Sequence, residues 1–266
     1  MGRDAGDSPS LGNLRDNGPF SARLSQKSSL KREVYALFKK ATFPLSTEYL
    51  KGLALDENVL SKRAWETRRS IWNAINWRYL TGAPSYVGTL IKKASNKGID
   101  SPEFLSASYL FFCLRDRLVF ETVTELLWSR WQQHVTSISR EEILGFMESL
   151  GKNNPPMTAW STATKNKLAS NILTSLRDFG ILRGLQKKYI QKPLLADEIA
   201  FQLLRILFAE GKRGYAVILS DDWKLFLLAE TEVAGLLARM SQRGWIRFER
   251  AGRTVILEIV GEGDVP

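Results

Sequence analysis

The sequence predicts a mainly α-helical protein with a few short β-hairpins. Three observations predict it. One stretch, residues 102–134, is dense in Leu, Phe, Val and Trp and has no Pro or Gly after Pro102. Across most of the remainder, apolar residues recur at helical spacing. Short β-prone runs flank Gly184 and Gly252, as hairpins require.

The long stretch organises the chain. Ser101 supplies an N-cap, Pro102 fits the first helical position, and Glu103 suits the positive helix end. From Phe104 to Leu114 apolar residues go most of the way round, so that half is expected to be buried on several sides. After Arg115-Asp116-Arg117 the spacing becomes Leu118, Val119, Thr122, Val123, Leu126 and Leu127, a one-sided stripe. A membrane span needs about twenty apolar residues, and the charged triplet cuts this run short. A central helix, or a kinked helix pair, of a soluble protein is the expectation.

Residues 1–20 are rich in Gly, Asp, Asn and Ser and read as a disordered arm. Residues 21–100 read as a basic helix-turn-helix domain. Its first helix runs from Ser29 to about Ala41, with Leu30, Val34, Leu37 and Phe38 on one side. Pro44 breaks it and Ser46-Thr47-Glu48 opens a second. In a third, from Ser61, Trp65, Ile71, Trp72, Ile75 and Tyr79 share a face, while Arg63 and Trp77 project elsewhere. Arg68 falls inside that face and calls for an internal carboxylate or carbonyl partner. A fourth short helix carries Lys92, Lys93 and Lys97 near its end, with Gly98 as its stop.

Residues 101–192 read as a central helical core followed by a winged-helix-like unit. Ser139-Arg-Glu-Glu is a capping start for a helix over 141–150. After the loop GKNNPP, Leu168, Ile172, Leu176 and Phe179 form the buried stripe of another helix, ending at Gly180. Its other side carries Thr164, Lys165, Lys167, Asn171, Thr174 and Arg177. Residues 181–182 and 188–190 can then pair around Gly184. Residues 193–266 read as a C-terminal winged helix: a helix from Leu194, a strand over 215–219, a helix over 223–229, a second helix over 231–242, and a hairpin turning at 251–253.

The formal charge of +10 is unevenly placed, with +9 on residues 21–100, −3 on 101–150, +7 on 151–192 and −2 on 193–266. Two basic segments flanking an acidic, apolar middle point to a polyanion. The candidate DNA contacts are Arg63, Arg69 and Arg78 on the Trp-rich helix and Lys92, Lys93 and Lys97 on the next. To these the second basic segment adds Lys165, Lys167, Asn171, Arg177, Lys187 and Lys188. On the C-terminal hairpin Arg247, Arg250 and Arg253 could reach phosphate, although the helix before it is poor in base-reading side chains. The lysines near helix ends could instead complement helix dipoles.

No catalytic constellation is legible. The single cysteine, Cys113, lies in the most apolar run and reads as a buried thiol, which excludes disulfides and cysteine zinc sites within one chain. The sole histidine, His134, follows Trp131 at a helix end. No Walker, GxGxxG, HExxH or GxSxG motif occurs, and Glu141/Glu142 and Asp221/Asp222 stand at helix starts, where capping explains them. No enzyme, metal, cofactor or small-molecule substrate is expected. With no apolar leader at its beginning, the chain is expected in the cytoplasm.

The segments WETRRSIWNAINWRYL, YLFFCLRDRLVFETVTELLW and STATKNKLASNILTSLRDFGIL together resemble the BrxA family of BREX (bacteriophage exclusion) systems, over roughly residues 25–210. Trp65, Asn76, Lys167–Leu168 and Gly180 anchor the resemblance. It implies an all-helical protein with helix-turn-helix units and a core similar to the antiterminator NusB. It also implies double-stranded DNA binding and a role in phage restriction with other BREX proteins. Some family members are described as inner-membrane proteins, against which the interrupted apolar run speaks here. Two other readings stay open: an assembly adaptor for partner proteins, and an RNA binder.

Overall fold

The computed structural model describes residues 14–260. Four helices, α1 (Lys31–Lys40), α2 (Thr47–Leu55), α3 (Trp65–Tyr79) and α4 (Ser85–Ser95), precede α5 (Pro102–Leu114). The Ser101 hydroxyl accepts from the Phe104 amide at 3.1 Å, which starts α5. Every residue from Ser106 to Leu114 is buried, because α3, α4 and the later α11 (Asp197–Ala209) all pack on α5. Each large apolar side chain buried this way contributes about 1.5–3 kcal/mol before entropy is counted. The helix stops at the charged triplet. Arg115 turns back to the carbonyls of Trp77 and Thr81, at 2.9 and 2.8 Å, and Asp116 accepts from the Val119 amide at 3.1 Å.

A second helical run then begins with α6 (Arg117–Glu121), continues through a π-helical turn at Thr122–Leu127, and ends in α7 (Trp128–Gln132). Within it Thr122 and Thr124 each bond the carbonyl four residues back, the kind of side-chain competition that loosens a helical ladder. The expected long element is therefore a kinked pair.

Residues 137–190 build a small mixed segment: β1 (Ser137–Ile138), α8 (Arg140–Gly151), α9 (Pro155–Thr158), α10 (Thr162–Asp178), β2 (Leu182–Arg183) and β3 (Lys188–Ile190). Ser139 and Glu142 close a full capping box at the start of α8. The strands form one antiparallel sheet in the order β1-β3-β2, with Ser137 opposite Tyr189 and Arg183 opposite Tyr189 from the other side.

The C-terminal segment follows α11 with α12 (Tyr215–Ile218), a 3-10 turn at Asp221–Phe226, α13 (Glu230–Gln242) and the hairpin β4 (Ile246–Ala251)–β5 (Thr254–Ile259). Ala251 pairs with Thr254, so Gly252 and Arg253 form a two-residue turn, and Gly252 has the positive φ (62°) such turns need. The segment shares the core of the rest: the Tyr109 hydroxyl on α5 donates to the Leu225 carbonyl at 2.9 Å, and its ring meets Phe226 edge-on.

Several expectations are corrected. Of the expected arm, residues 1–13 lie outside the described residues, but 14–20 are packed. Leu14 and Phe20 are buried, the Asp16 amide donates to the Leu114 carbonyl at 2.9 Å, and Arg117 lies 4.3 Å over the Phe20 ring. Two apolar anchors in a polar stretch are enough to seat it. The expected strand at 215–219 is the helical turn α12, since Val217 and Ile218 are adjacent and both buried, which an alternating strand forbids. The Trp223 indole donates to the Val217 carbonyl, satisfying the end of that turn. The expected helix at 223–229 is the 3-10 turn. The Ser220 hydroxyl donates to Asp222 instead of capping it. Without a strand at 215–219 the C-terminal sheet has two strands among the described residues. Trp65, placed with the buried face of α3, is exposed and lies under Arg69 at 4.9 Å. Arg68 finds the internal partner expected of it in the Leu55 carbonyl, at 2.5 Å.

Candidate nucleic-acid interface

Helix α10 begins at Ser161, whose hydroxyl accepts from the Thr164 amide. Leu168, Ile172, Leu176 and, just beyond it, Phe179 are buried. Lys167, Ser170, Thr174 and Arg177, at helical spacings of three, four and three, lie on the opposite side. Lys167 and Ser170 are exposed; Thr174 and Arg177 are half-buried.

Each flank of this face is held by a different part of the chain. On one side runs a 3-10 turn, Arg23–Ser25, to which the Asn171 amide donates at the Leu24 (2.7 Å) and Ser25 (3.2 Å) carbonyls. A little further on, the Ser29 hydroxyl donates to Asp178 at 2.6 Å. Beyond the turn, the Arg23 guanidinium lies 5.0 Å over the Trp77 ring of α3. Between them opens a cleft of about 490 Å³ lined by Arg23, Lys27, Arg69, Ser70, Asn73 and Trp77 among others, with Glu66 at its edge paired to Arg69 at 2.7 Å. On the other side of α10, a groove of about 530 Å³ separates Ser170, Leu173 and Thr174 from the β2–β3 turn and the start of α8, where Glu141 is an exposed carboxylate. The Tyr189 ring carries Arg183 at 5.6 Å and Lys187 at 5.3 Å. Among the described residues, Lys165, Lys167, Arg183 and Lys187 enter no ion pair within 4 Å. The face of α10 thus runs between two cationic borders.

Four residues expected to meet nucleic acid are used inside the fold. Arg78 is 2% exposed; its guanidinium donates to the Ser28 and Lys27 carbonyls at 2.6 and 2.7 Å and lies 5.1 Å over Phe112. Burial lowers its pKa, partly offset by Tyr79 and by Asp116. Lys92 is buried and donates to the Lys39 carbonyl and the Asn96 side chain, each at 3.2 Å. Burial and neighbouring Lys39 lower its pKa. This is the dipole-complementing reading of helix-end lysines, realised where the last turns of α1 and α4 meet. Lys188 is buried under its own hairpin turn, and Asn171 is spent on the 3-10 turn.

The remaining candidates are dispersed. Arg63, Lys93 and Lys97 are exposed, and Arg69 lines the cleft described above. Arg177 sits on the α10 face, paired to Asp178 at 3.1 Å. The arginines of the C-terminal hairpin face their own carboxylates: Arg247 pairs with Glu249 (2.9 Å) and Glu258 (3.8 Å), and Arg250 with Glu230 (2.5 Å). Arg253 is exposed at the turn. Sequence reasoning missed Arg23, Lys27 and Arg183. The signal for the first two was Trp77, which projects away from the apolar stripe of α3 and so invites a cation onto its ring.

The other sites offer no chemistry of this kind. Cys113 is buried, and burial pushes its thiol well above the usual range. His134 is exposed at the end of α7 with φ of 59°. Among the described residues no group of three His, Cys, Asp or Glu side chains could hold a metal ion, and no helix is long and apolar enough to cross a membrane.

Comparison with known proteins adds two findings. A crystal structure of an uncharacterized protein from Magnetospirillum magneticum is similar with a TM-score of 0.60 and 14% identity, covering 79% of this chain and 100% of that one. At that identity the likeness shows the fold alone. No curated protein matches. The family model for BrxA matches residues 18–206, from the packed N-terminal strap through α1–α10 and most of α11. The chain belongs to the BrxA family.

Proposed function

We propose that the chain is a non-enzymatic double-stranded DNA-binding component of a BREX phage-defence complex, engaging the duplex through α10 and its two cationic borders. The observation that carries this is that cations border α10 on both flanks. Ser170 and Thr174 line one groove with Lys187, which shares the Tyr189 ring with Arg183, and Asn171 bonds the turn that holds Arg23 beside Lys27 and Arg69. Family membership supports the BREX role and other BREX proteins as partners.

The order strand, helices α8–α10, hairpin over 137–190, with β1 joining β3, supports a winged-helix reading of that segment, with α10 as the helix that enters the major groove. Arg and Lys supply phosphate contacts, whereas Ser and Thr suit either phosphate or base edges. The C-terminal segment fits a protein partner better, since Arg247 and Arg250 of its hairpin are already paired to Glu249, Glu258 and Glu230. The helices from α1 to α7 would serve as the NusB-like core.

The test is a gel-shift series on a duplex of about 30 base pairs across salt concentration, with single-stranded RNA as competitor. Binding that rests on six phosphate contacts should weaken by about a thousandfold between 50 and 200 mM salt. Displacement by RNA but not by unrelated duplex would replace this reading with RNA binding.

A further inference from the structure

We propose that the β2–β3 turn is a minor-groove wedge, with Leu185 inserted between base pairs and Arg183 and Lys187 on the two phosphate walls. The inference rests on duplex binding by α10 and names what the turn adds to it.

Leu185 is 80% exposed, more than any other large apolar side chain among the described residues. An exposed leucine on a mobile loop would mean little, but this turn is tied down. The buried Lys188 ammonium sits beneath it and donates to the Gly184 carbonyl at 2.9 Å and to the Leu185 carbonyl. Gly184 has φ of 94°, and a Cβ there would lie 2.2 Å from the Lys187 carbonyl oxygen, so the chain closes on itself as tightly as glycine permits. The order needed to present Leu185 is therefore built in before any ligand arrives.

The surroundings select the ligand. Arg183 and Lys187 both lie on the Tyr189 ring, and Leu185 stands between them in the sequence of the turn. A protein-docking patch needs several hundred square ångströms of contiguous apolar surface, whereas the apolar neighbours Leu173 and Ile138 are themselves buried. One apolar finger between two positive charges matches a minor groove, whose walls are phosphates and whose base steps open to apolar wedges. The turn borders the groove beside Ser170 and Thr174, so a duplex seated on α10 would present its next minor groove to the turn.

The experiment uses the full chain and a duplex of about 30 base pairs carrying a fluorophore at each end. Wild-type protein should raise energy transfer between the ends, because unstacking one step kinks the duplex. Leu185→Ser should abolish that change and weaken binding about tenfold, leaving the salt slope untouched because no phosphate contact is lost. Leu185→Met should restore both. If Leu185→Ser bends and binds as wild type does, the wedge is refuted while duplex binding stands. Wild-type binding without bending would refute the wedge in the same way. If wild-type protein binds no duplex at all, both readings fall together. The side chain is exposed, so the variants should fold, and an unchanged circular dichroism melt verifies it.

Discussion

The segments 137–192 and 193–260 end alike, in a helix of over a dozen residues followed by a hairpin, yet their surfaces differ. In the first, the hairpin gains a third strand, and its Arg183 and Lys187 are held on an aromatic ring with no carboxylate within salt-bridge reach among the described residues. In the second, no strand among the described residues joins, and Arg239, Arg243, Arg247 and Arg250 all face carboxylates. Similar element order therefore leaves the chemistry open. A cation answered by a neighbouring carboxylate has little field left for a phosphate, whereas an unanswered one keeps its full attraction. The net charges, +7 on residues 151–192 and −2 on residues 193–266, record the same contrast.

The largest expected effect separates bracing from binding. Arg78→Ala should cost about 2–4 kcal/mol of stability, because it strips the partly buried carbonyls of Ser28 and Lys27 of their donor, empties a buried site and loosens the segment that borders α10. Chemical denaturation measures it. A variant as stable as wild type would make Arg78 a candidate surface contact again.

Next comes the comparison itself. Lys167→Glu/Lys187→Glu, at two lysines without a carboxylate partner among the described residues, should weaken duplex binding about a hundredfold and lower the salt slope by roughly two. Arg247→Glu/Arg250→Glu should change affinity less than about threefold, since those charges are already screened by their partners. Equal losses in the two double variants, by fluorescence anisotropy on one duplex, would erase the distinction between the segments. Lys92→Glu/Lys93→Glu belongs with the second class: Lys92 is buried, so its reversal should show as lost stability before lost affinity.

A smaller effect contrasts two buried aspartates. Burial pushes the Asp116 carboxyl up to about 6, against the milder influence of the Val119 amide and Arg78. Its native pKa lies above the unfolded one, so it penalises the fold most above pH 6, and the penalty fades as pH falls toward 4. Asp116→Asn should therefore raise stability by about 1–2 kcal/mol at pH 7.5, with the gain gone near pH 4, because Asn still caps α6. Burial also acts on Asp222, but Arg15, Ser220 and Lys212 outweigh it and hold that carboxyl below its usual range. Asp222 stabilises above about pH 4 and loses that contribution as pH falls through its native pKa. Arg15→Ala should remove this acid-side dependence. Melting curves from pH 4 to 8 test both signs.

Much of the fold was legible because helix signals are local. The Ser101-Pro102 cap, the Ser139–Glu142 box and the spacing of Leu168, Ile172 and Leu176 each lie within a few turns, and the structure forms each of them. The break at Arg115-Asp116 was equally visible, since two charges in an apolar run must find partners off the helix axis. The site was less legible. A lysine that braces a turn, one that caps a helix end and one that faces solvent have the same letter, and Lys188, Lys92 and Lys167 take these three roles.

By itself the sequence determined the helices, the apolar centre, the family resemblance and the location of the charge excess. All of these depend on residues near one another in the chain. Only the tertiary structure decided which cations remain available. It placed Arg23 on Trp77, spent Asn171 on Leu24 and Ser25, and drew β1 to β3 across some fifty residues while leaving 215–218 helical. Those outcomes depend on contacts between distant parts of the chain, where burial and hydrogen-bond satisfaction override local preference.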